Sequence, residues 1–412
     1  MEEDFWEAEK GGVELAVAGI IAEYNPFHRG HGWQVEELRR RLGADTAVVA
    51  AMSGNFVQRG DFALLNKHAR AEAALMGGVD LVLELPTAWA SATAEQFAWG
   101  GVSLLAATGV VTDLVFGSEC GDLAALQAAA RCLDSPDYGD ALRRLLGEGM
   151  TFAKARQQAA EAIAGVELSC LGNPNDNLAV EYLRALRGQA SGIQPLALPR
   201  QGAAHDSESA TGFASASAIR RRILAREAWQ ELVPPGTAAV IEREMAAGRC
   251  PVTMQRQERA VLDHLRRLGE EEFRPYDGGN EGLYRRFYAA VRRAGSLEEL
   301  LELAKTKRYA LARLRRLLLH SYLGLTMPAR GERPGYLRVL GANSRGRALL
   351  REMADRAALP VLTRPAQVRQ LDEGVQAAFD REARYTDLYT LAYPDLSQSV
   401  LDREFACPPV MR

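Results

Sequence analysis

Short apolar runs alternate with amphipathic stretches over the first two hundred residues of the chain. The runs at residues 15–22, 45–52, 80–86, 113–119 and 194–200 each predict a strand, and the segments between them have helical spacing. The first run contains eight small or apolar residues, which is typical of a parallel strand buried on both faces. Strands and helices in alternation, with short connections, predict a Rossmann-like α/β domain with a parallel sheet, a type of fold that binds nucleotides.

The pattern changes near the Val-Pro-Pro-Gly sequence at residues 233–236, which we interpret as a linker. Beyond it the strand patterns fade, and a helical periodicity rich in Arg, Leu and Glu dominates. We therefore expect an N-terminal extension over residues 1–14, an α/β domain over residues 15–232 and a mainly α-helical C-terminal domain over residues 237–412. The run at residues 194–200 is expected to be the last strand.

Composition and charge limit the classes of protein to consider. The chain is 47% hydrophobic and 25% charged, as in ordinary globular proteins, and its formal net charge is -3. A nucleic-acid partner therefore requires a local basic patch. Five scattered cysteines without C-x-x-C spacing argue against a disulfide framework or a zinc site and favour a reducing cytoplasm. The acidic N-terminus lacks the features of a signal peptide, and no apolar run approaches the roughly 20 residues that cross a bilayer.

The first predicted strand ends in Glu23-Tyr-Asn-Pro-Phe-His-Arg-Gly-His31. Asn followed by Pro favours the opening of a helix, so the strand turns sharply into a helix N-terminus. His28 and His31 then lie close to unpaired N–H groups that bind phosphate oxygens, and Gly30 lets a ligand approach the backbone. An H-x-G-H string is short enough to arise by chance. Its position where an open α/β sheet binds ligands nevertheless favours a functional site.

Polar loops after the other strands are expected at the same edge of the sheet. The loop at residues 53–61 offers Asn55, Gln58 and Arg59, and the helix behind it holds Lys67, His68 and Arg70. Cationic groups here could bind phosphates or a carboxylate substrate, or they could be solvated surface groups.

Further candidates follow the fourth predicted strand. Gly117 would let a purine ring lie against the backbone, or it is a simple turn glycine. Asn175 and Asn177 are either a helix cap and its neighbour or, together with Arg200, readers of a base edge or ribose. Both interpretations remain open from the residues alone.

Two basic stretches complete the candidate chemistry. Ser215-Ala-Ser-Ala-Ile-Arg220 places small hydroxyl residues, among them Ser217, at a helix start with an arginine one turn on. This is either a second phosphate-binding element or a Ser-capped surface helix.

The segment at residues 305–316 has six basic residues in twelve. Leu311, Leu314 and Leu318 can face a core while the basic side chains face outward. A basic helix face with Tyr309 suits a nucleic-acid backbone, although a solvated helix fits equally. The candidate RNA-binding residues are Lys305, Lys307, Arg308, Arg315 and Arg316.

Several stretches taken together are specific, although each alone is not. They are Glu23-Tyr-Asn-Pro-Phe-His-Arg-Gly-His31, Met52-Ser-Gly-Asn-Phe-Val-Gln-Arg-Gly60, Asp80-Leu-Val-Leu-Glu-Leu-Pro86, Phe116-Gly-Ser-Glu119, Ser215-Ala-Ser-Ala-Ile-Arg220, Lys305-Thr-Lys-Arg-Tyr309 and Tyr336-Leu-Arg-Val-Leu-Gly341. The combination resembles the bacterial tRNA(Met) cytidine acetate ligases, from about residue 16 to the C-terminus. That family belongs to the nucleotidyltransferase superfamily, whose H-x-G-H motif handles ATP phosphates.

The resemblance implies an activity and a set of ATP-binding positions. ATP and acetate would give acetyl-adenylate and pyrophosphate, and the acetyl group would pass to the wobble cytidine of elongator methionine tRNA. Where the family often has Gly-Tyr-His-Asp, this chain has Ala-Ala-His-Asp at residues 203–206, so that loop receives no role. The ATP site carried over by position contains Ile21, Ala22, Glu23, Tyr24, Asn25, Pro26, Phe27, Gly30, Gln34, Gly117, Asn175 and Arg200.

The residues themselves suit adenylation. Negative charge grows on the departing pyrophosphate, and His28, His31, Ser217 and Arg220 are the candidate catalytic groups that could stabilise it. Mg²⁺ is expected on the phosphates, without dedicated protein ligands. The alternatives are a small-molecule adenylyltransferase without an RNA substrate and a non-catalytic RNA-binding protein with a degenerate nucleotide fold.

Overall fold

The computed structural model describes residues 15–200, 213–277, 282–306 and 309–412. One eight-stranded sheet organises it, in the order β10-β8-β5-β2-β1-β6-β7 with β9 pairing to β8, and β3 and β4 form a separate hairpin. The strands are β1 (Val17–Ala22), β2 (Ala47–Ser53), β3 (Phe56–Val57), β4 (Asp61–Phe62), β5 (Leu81–Leu85), β6 (Asp113–Ser118), β7 (Gln194–Pro199), β8 (Leu337–Ala342), β9 (Val361–Leu362) and β10 (Val410–Met411).

Helices cover both faces of the sheet and build the rest of the molecule. They are α1 (Arg29–Leu42), α2 (Lys67–Met76), α3 (Thr87–Ala90), α4 (Ala94–Ala107), α5 (Leu123–Leu133), α6 (Tyr138–Gly147), α7 (Phe152–Ala164), α8 (Pro174–Gly188), α9 (Ala216–Ala225), α10 (Pro235–Ala246), α11 (Glu258–Arg267), α12 (Leu283–Val291), α13 (Leu297–Ala304), α14 (Leu311–Leu323), α15 (Ser344–Arg356), α16 (Glu373–Thr390) and α17 (Arg403–Ala406).

The central strand β1 confirms the first predicted strand and the parallel sheet. It runs parallel to β2, with Ala18 opposite Val48, and parallel to β6, with Ala18 opposite Asp113. Its side chains alternate between two apolar cores: Ile21 packs into one face of the sheet and Ile20 into the other. A strand buried on both faces must be apolar throughout, which explains why the sequence signal is continuous rather than alternating.

The C-terminal half also contributes to this sheet. Strand β8 pairs antiparallel to β5, with Leu81 opposite Ala342, and β10 pairs parallel to β8. The expectation that residues 194–200 form the last strand is therefore wrong. Arg338 interrupts the apolar pattern of β8, but this side chain is buried and its Nη2 lies 3.0 Å from Glu404 Oε1. Because Glu404 is distant in sequence, the hydrophobic pattern around Arg338 did not indicate that this charge is paired inside the molecule, and the strand was not predicted.

The interpretation of residues 233–236 as a linker is also wrong. Pro235 is the first residue of α10, a position where its fixed φ and missing N–H are favourable. The domain limits at 1–14, 15–232 and 237–412 stay a prediction, but the sheet takes strands from both sides of the proposed boundary.

A further apolar core, separate from the two that flank the sheet, lies among helices α11 to α14 and α16. Phe273, Phe287 and Leu314 are buried at its centre. Phe56 and Phe62 of the β3–β4 hairpin belong to the same core, so the hairpin joins the sheet to the helical part. In the parts of the chain that the structure describes, no helix has the length and apolarity to cross a membrane.

Candidate active site

A cavity of about 280 Å³ opens at the carboxyl ends of β1, β6 and β7. This is the edge of a parallel sheet where ligands bind. The lining includes nearly all of the candidate catalytic and ATP-binding residues from the sequence: Ile21, Ala22, Glu23, Tyr24, Asn25, His28, Gly30, His31, Gln34, Gly117, Asn175, Arg200, Ser217 and Arg220.

Two of the predicted ATP-site residues do not line this cavity. Phe27 is fully buried in the core on the other side of the turn, where its ring packs against Gly77. Pro26 precedes it in the turn and is likewise absent from the cavity wall. These two residues were predicted for the ATP site because they lie within the motif. Their side chains form part of the turn and do not line the cavity.

The turn itself brings the two histidines together. Helix α1 begins at Arg29, with His28 as its N-cap. The backbone N–H of Gly30 donates to His28 Nδ1 at 3.1 Å, and the backbone N–H of His28 donates to His31 Nδ1 at 3.2 Å. The two rings stack with centroids 3.8 Å apart. Because each Nδ1 accepts a hydrogen bond, each neutral ring carries its proton on Nε2.

Both histidines are held in the neutral form. Burial, together with the positive charges of Arg200 and Arg220, lowers the pKa of His28 to about 3. Burial, His28 and Arg200 together hold the pKa of His31 well below its usual value. The pair therefore presents two Nε2–H donors without positive charge.

Positive charge in the cavity comes from arginines on three other elements. Arg220 donates through Nη1 to the carbonyl oxygen of Asn25 at 2.7 Å and through Nη2 to Ser217 Oγ at 3.2 Å. Burial lowers the pKa of Arg220, whereas the carboxylates of Glu23 and Asp61 raise it. An arginine fixed by neutral acceptors keeps its charge available for an anionic ligand.

The predicted constellation around the fourth strand forms in part. Arg200 donates to Asn175 Oδ1 at 3.2 Å, and Gly117 faces the aliphatic part of Arg200. The N-cap of α8 is Asn173, and Asn177 lies outside the cavity wall, where its side chain donates to the carbonyl oxygen of Leu171. Of the two asparagines, Asn175 alone therefore joins Arg200 and Gly117 at the cavity.

The sequence did not predict the aromatic residues of the cavity wall, and it left the role of Arg59 undecided between ligand binding and a solvated surface position. Trp33, Phe116, Tyr182 and Phe213 line the cavity, as does Arg59 of the hairpin loop. Phe116 directly precedes Gly117 at the end of a strand, and Trp33 follows His31 by two positions. These adjacent positions are the signal that could have found them.

Lys67 and Arg70 are structural rather than part of the cavity. Lys67 is 1% exposed and its Nζ lies 2.7 Å from Glu84 Oε1 and 2.8 Å from Glu404 Oε2. Arg70 donates to the main-chain carbonyl oxygens of Leu65, Glu23 and Ser53. The ligand-binding interpretation of these two side chains is therefore wrong, because both are engaged in buried ion pairs or hydrogen bonds that stabilise the fold.

The basic segment at residues 305–316 contacts the β3–β4 hairpin, whose loop reaches the cavity. Leu314 and Leu318 are buried, as predicted, but Arg316 is half-buried and its Nη1 lies 3.5 Å from the carbonyl oxygen of Gln58. Burial lowers the pKa of Arg316 to about 10. Lys307 and Arg308 lie outside the described residues. An outward orientation is thus wrong for Arg316.

The fold and this site define a nucleotidyltransferase of the H-x-G-H type. The family model for HIGH nucleotidyl transferases matches residues 15–404. A cavity at the carboxyl ends of parallel strands, with paired histidines at a helix N-terminus, is the arrangement expected for binding ATP phosphates.

Comparison with related proteins identifies the family within the nucleotidyltransferase class. The chain is 41% identical to the tRNA(Met) cytidine acetate ligase of Caldanaerobacter subterraneus over 94% of this chain and 98% of that protein. It is 36% identical to the ligase of the same name from Syntrophomonas wolfei over 96% of this chain and 99% of that protein. The chain belongs to the tRNA(Met) cytidine acetate ligase family.

Solved structures agree over nearly the whole chain. Crystal structures of Thermotoga maritima TmcAL superimpose with a TM-score of 0.91 for an apo form and 0.89 for a form bound with alpha-thio ATP. Each is 34% identical in sequence, and the alignment covers 96% of this chain and 99% of that chain.

Proposed function

We propose that this protein forms acetyl-adenylate from acetate and ATP and then acetylates the wobble cytidine of elongator tRNA(Met) to N-acetylcytidine. The observation that carries the proposal is the His28–His31 corner, where two stacked neutral imidazoles line a cavity at the carboxyl ends of the sheet. Membership of the ligase family supplies the substrates.

In the first step an oxygen of acetate attacks the α-phosphorus of ATP, and pyrophosphate leaves. His28 and His31 would donate from Nε2 to phosphate oxygens, and Arg220 and Arg200 would balance the charge that grows on pyrophosphate. Donors that are already fixed need not reorganise during the reaction, and removal of one such donor typically costs about 10²–10³-fold in rate.

The remaining candidate residues would hold the nucleotide. Gly117 lets the base approach the strand backbone, while Asn175 and Arg200 offer polar groups at the same wall. Trp33 and Tyr182 give apolar faces that exclude water. Exclusion of water matters because acetyl-adenylate hydrolyses readily.

We also propose Mg²⁺ on the ATP phosphates and a cytoplasmic location. Among the described residues, no group of three or more His, Cys, Asp or Glu side chains could hold a metal ion. This fits Mg²⁺, which commonly keeps several waters and binds through substrate phosphates; when bound it would neutralise phosphate charge. Five free cysteines support a reducing compartment.

Acetate-dependent exchange of labelled pyrophosphate into ATP tests the first step. The proposal predicts exchange with acetate and little exchange without it. A small-molecule adenylyltransferase, which the relatives do not favour, would need another acceptor, and a non-catalytic RNA-binding protein would show no exchange. Gel binding of tRNA(Met) then separates the ligase from an enzyme that uses no RNA.

A further inference from the structure

The second step requires a group that accepts a proton from the cytidine amine. The lone pair of this amine is delocalised into the ring, so the nitrogen attacks an acetyl carbonyl well only if its proton is removed as the bond forms. The donors assigned above serve the phosphates. The acceptor must therefore be a further residue of the same cavity.

Among the described residues that line the cavity, Glu23 is the only carboxylate. The other ionisable groups are unsuitable as bases. Burial raises the pKa of Tyr24 and of Tyr182, so both phenols stay protonated. The rings of His28 and His31 each accept a backbone N–H at Nδ1 and carry their proton on Nε2, so neither ring has a free lone pair to take a proton. Arginine side chains have no acceptor.

The Glu23 side chain is fixed at one oxygen and open at the other. The backbone N–H of Gln58 donates to Glu23 Oε1 at 2.9 Å. Within the described part of the chain, Oε2 accepts no hydrogen bond from protein, and the carboxylate stands in the field of Arg220 and Arg70. One oxygen therefore orients the group, while the second can meet a substrate.

Glu23 also lies on the side of the cavity that faces the basic helix. Gln58, which orients Glu23, belongs to the hairpin loop that packs against the N-terminal part of α14, with its carbonyl oxygen 3.5 Å from Arg316 Nη1. RNA bound along α14 would reach the cavity over this hairpin. The carboxylate is thus placed between the adenylate site and the expected RNA surface.

We infer that Glu23 is the catalytic base for acetyl transfer and hydrogen-bonds the exocyclic amine of the target cytosine. This inference rests on the proposed function. A carboxylate is the usual acceptor for the cytosine amine, so recognition and proton removal fall to one group.

The step balances without another reactant. The amine nitrogen forms a bond to the acetyl carbonyl carbon while Glu23 takes the N–H proton. The carbonyl-carbon to phosphate-oxygen bond then breaks, and its electron pair leaves with AMP. The proton on Glu23 passes to solvent, which restores the carboxylate.

The test measures the two half-reactions separately in the Glu23→Gln variant. Glutamine keeps an oxygen that can accept from Gln58 N–H, so the loop stays oriented, but it cannot take a proton. Acetate-dependent pyrophosphate exchange measures the first step, and single-turnover transfer from acetyl-adenylate to saturating tRNA(Met) measures the second. We expect the ratio of transfer to exchange to fall by at least about 100-fold, because general bases contribute about 10²–10⁴-fold.

Two controls make the result decisive. Glu36→Gln changes an exposed carboxylate on α1 and should leave both rates as in the wild type. Glu23→Asp keeps a carboxylate and should transfer faster than Glu23→Gln, which keeps the test valid if the latter folds poorly.

An unchanged ratio in Glu23→Gln, or an equal loss of both half-reactions, would overturn the role of Glu23. Equal transfer by the Asp and Gln variants would overturn it as well. Absence of acetate-dependent exchange in the wild type would instead contradict the proposed function itself.

Discussion

Gly60 of the hairpin loop packs directly against the main chain of Arg316 in α14. Its φ is +73°, and a Cβ atom at this position would collide with the backbone nitrogen of Arg316 and the backbone carbon of Arg315. Neither backbone atom can move without displacing the helix. The hairpin therefore fits α14 only with glycine at this position. The same loop carries Arg59 to the cavity wall and the backbone N–H of Gln58 to the Glu23 carboxylate.

Gly60→Ala should destabilise the protein and reduce tRNA acetylation. The left-handed backbone alone costs a non-glycine residue roughly 1–2 kcal/mol, and the collision with α14 adds to that cost. Gly165→Ala is the matched control, because Gly165 has a φ of +67° and no atom within 4 Å of the added Cβ. Chemical denaturation should show a larger loss for Gly60→Ala; equal losses would contradict the docking of the hairpin on α14.

His31→Ala should abolish adenylate formation and leave tRNA binding nearly intact. The substitution removes one Nε2–H donor and the acceptor for the His28 N–H. We expect acetate-dependent exchange to fall by at least about 10²–10³-fold, which is the typical cost of losing one such donor. His264→Gln, which changes a histidine outside the cavity wall, serves as the control. Equal loss of exchange and of tRNA binding would mean that the histidines shape the fold instead.

Buried neutral histidines should make the fold sensitive to acid. Burial lowers the pKa of His68 to about 3, below the ordinary value of 6.5, and its ring nitrogens have no hydrogen-bond partner in the described structure. The unfolded chain therefore binds a proton at higher pH than the folded chain, so stability is full above pH 6.5 and falls as the pH drops toward 3.

His68→Leu should remove the contribution of one titrating group to the pH dependence of stability. The slope of the free energy of unfolding against pH should then fall by up to about 1.4 kcal/mol per pH unit. The substitution should not reduce the free energy of unfolding at pH 7, since it removes unpartnered polar atoms. Urea denaturation at several pH values measures both quantities. A parallel pH dependence in the variant and the wild type would refute the assignment to His68.

Replacing Lys307 and Arg308 together by Ala should weaken tRNA binding. Each cation that contacts a phosphate contributes roughly 0.7–0.9 to the slope of log affinity against log salt, so the slope should drop by about 1.4–1.8. Arg143→Ala combined with Lys154→Ala removes the same charge from exposed positions on α6 and α7. Equal weakening by both pairs would indicate a nonspecific charge effect.

The elements around the cavity could be predicted from sequence because their signals are local. Strand β1 is an uninterrupted apolar run, and the turn from Glu23 to His31 leads into a helix as predicted, although His28 rather than Asn25 is the N-cap. Likewise, Ser215 caps α9 and accepts from Ala218 N–H, as a hydroxyl at a helix start suggests. Each of these features depends on residues within a few positions of one another.

The features that could not be predicted depend on distant partners. Lys67 reads as a surface cation, yet it is buried between Glu84 and Glu404. Arg338 reads as a break in a strand pattern, yet Glu404 pairs with it inside the molecule. Since the sequence does not reveal which acid meets which base, strand β8 and the structural role of Lys67 became visible only in the fold.

Nucleoside mass spectrometry of tRNA(Met) incubated with the protein, ATP and labelled acetate tests the central claim most directly. The account predicts labelled N-acetylcytidine at the wobble position, dependent on ATP and absent with His31→Ala. Folded wild-type protein that leaves the cytidine unmodified, or that modifies it equally well without ATP, would contradict the account.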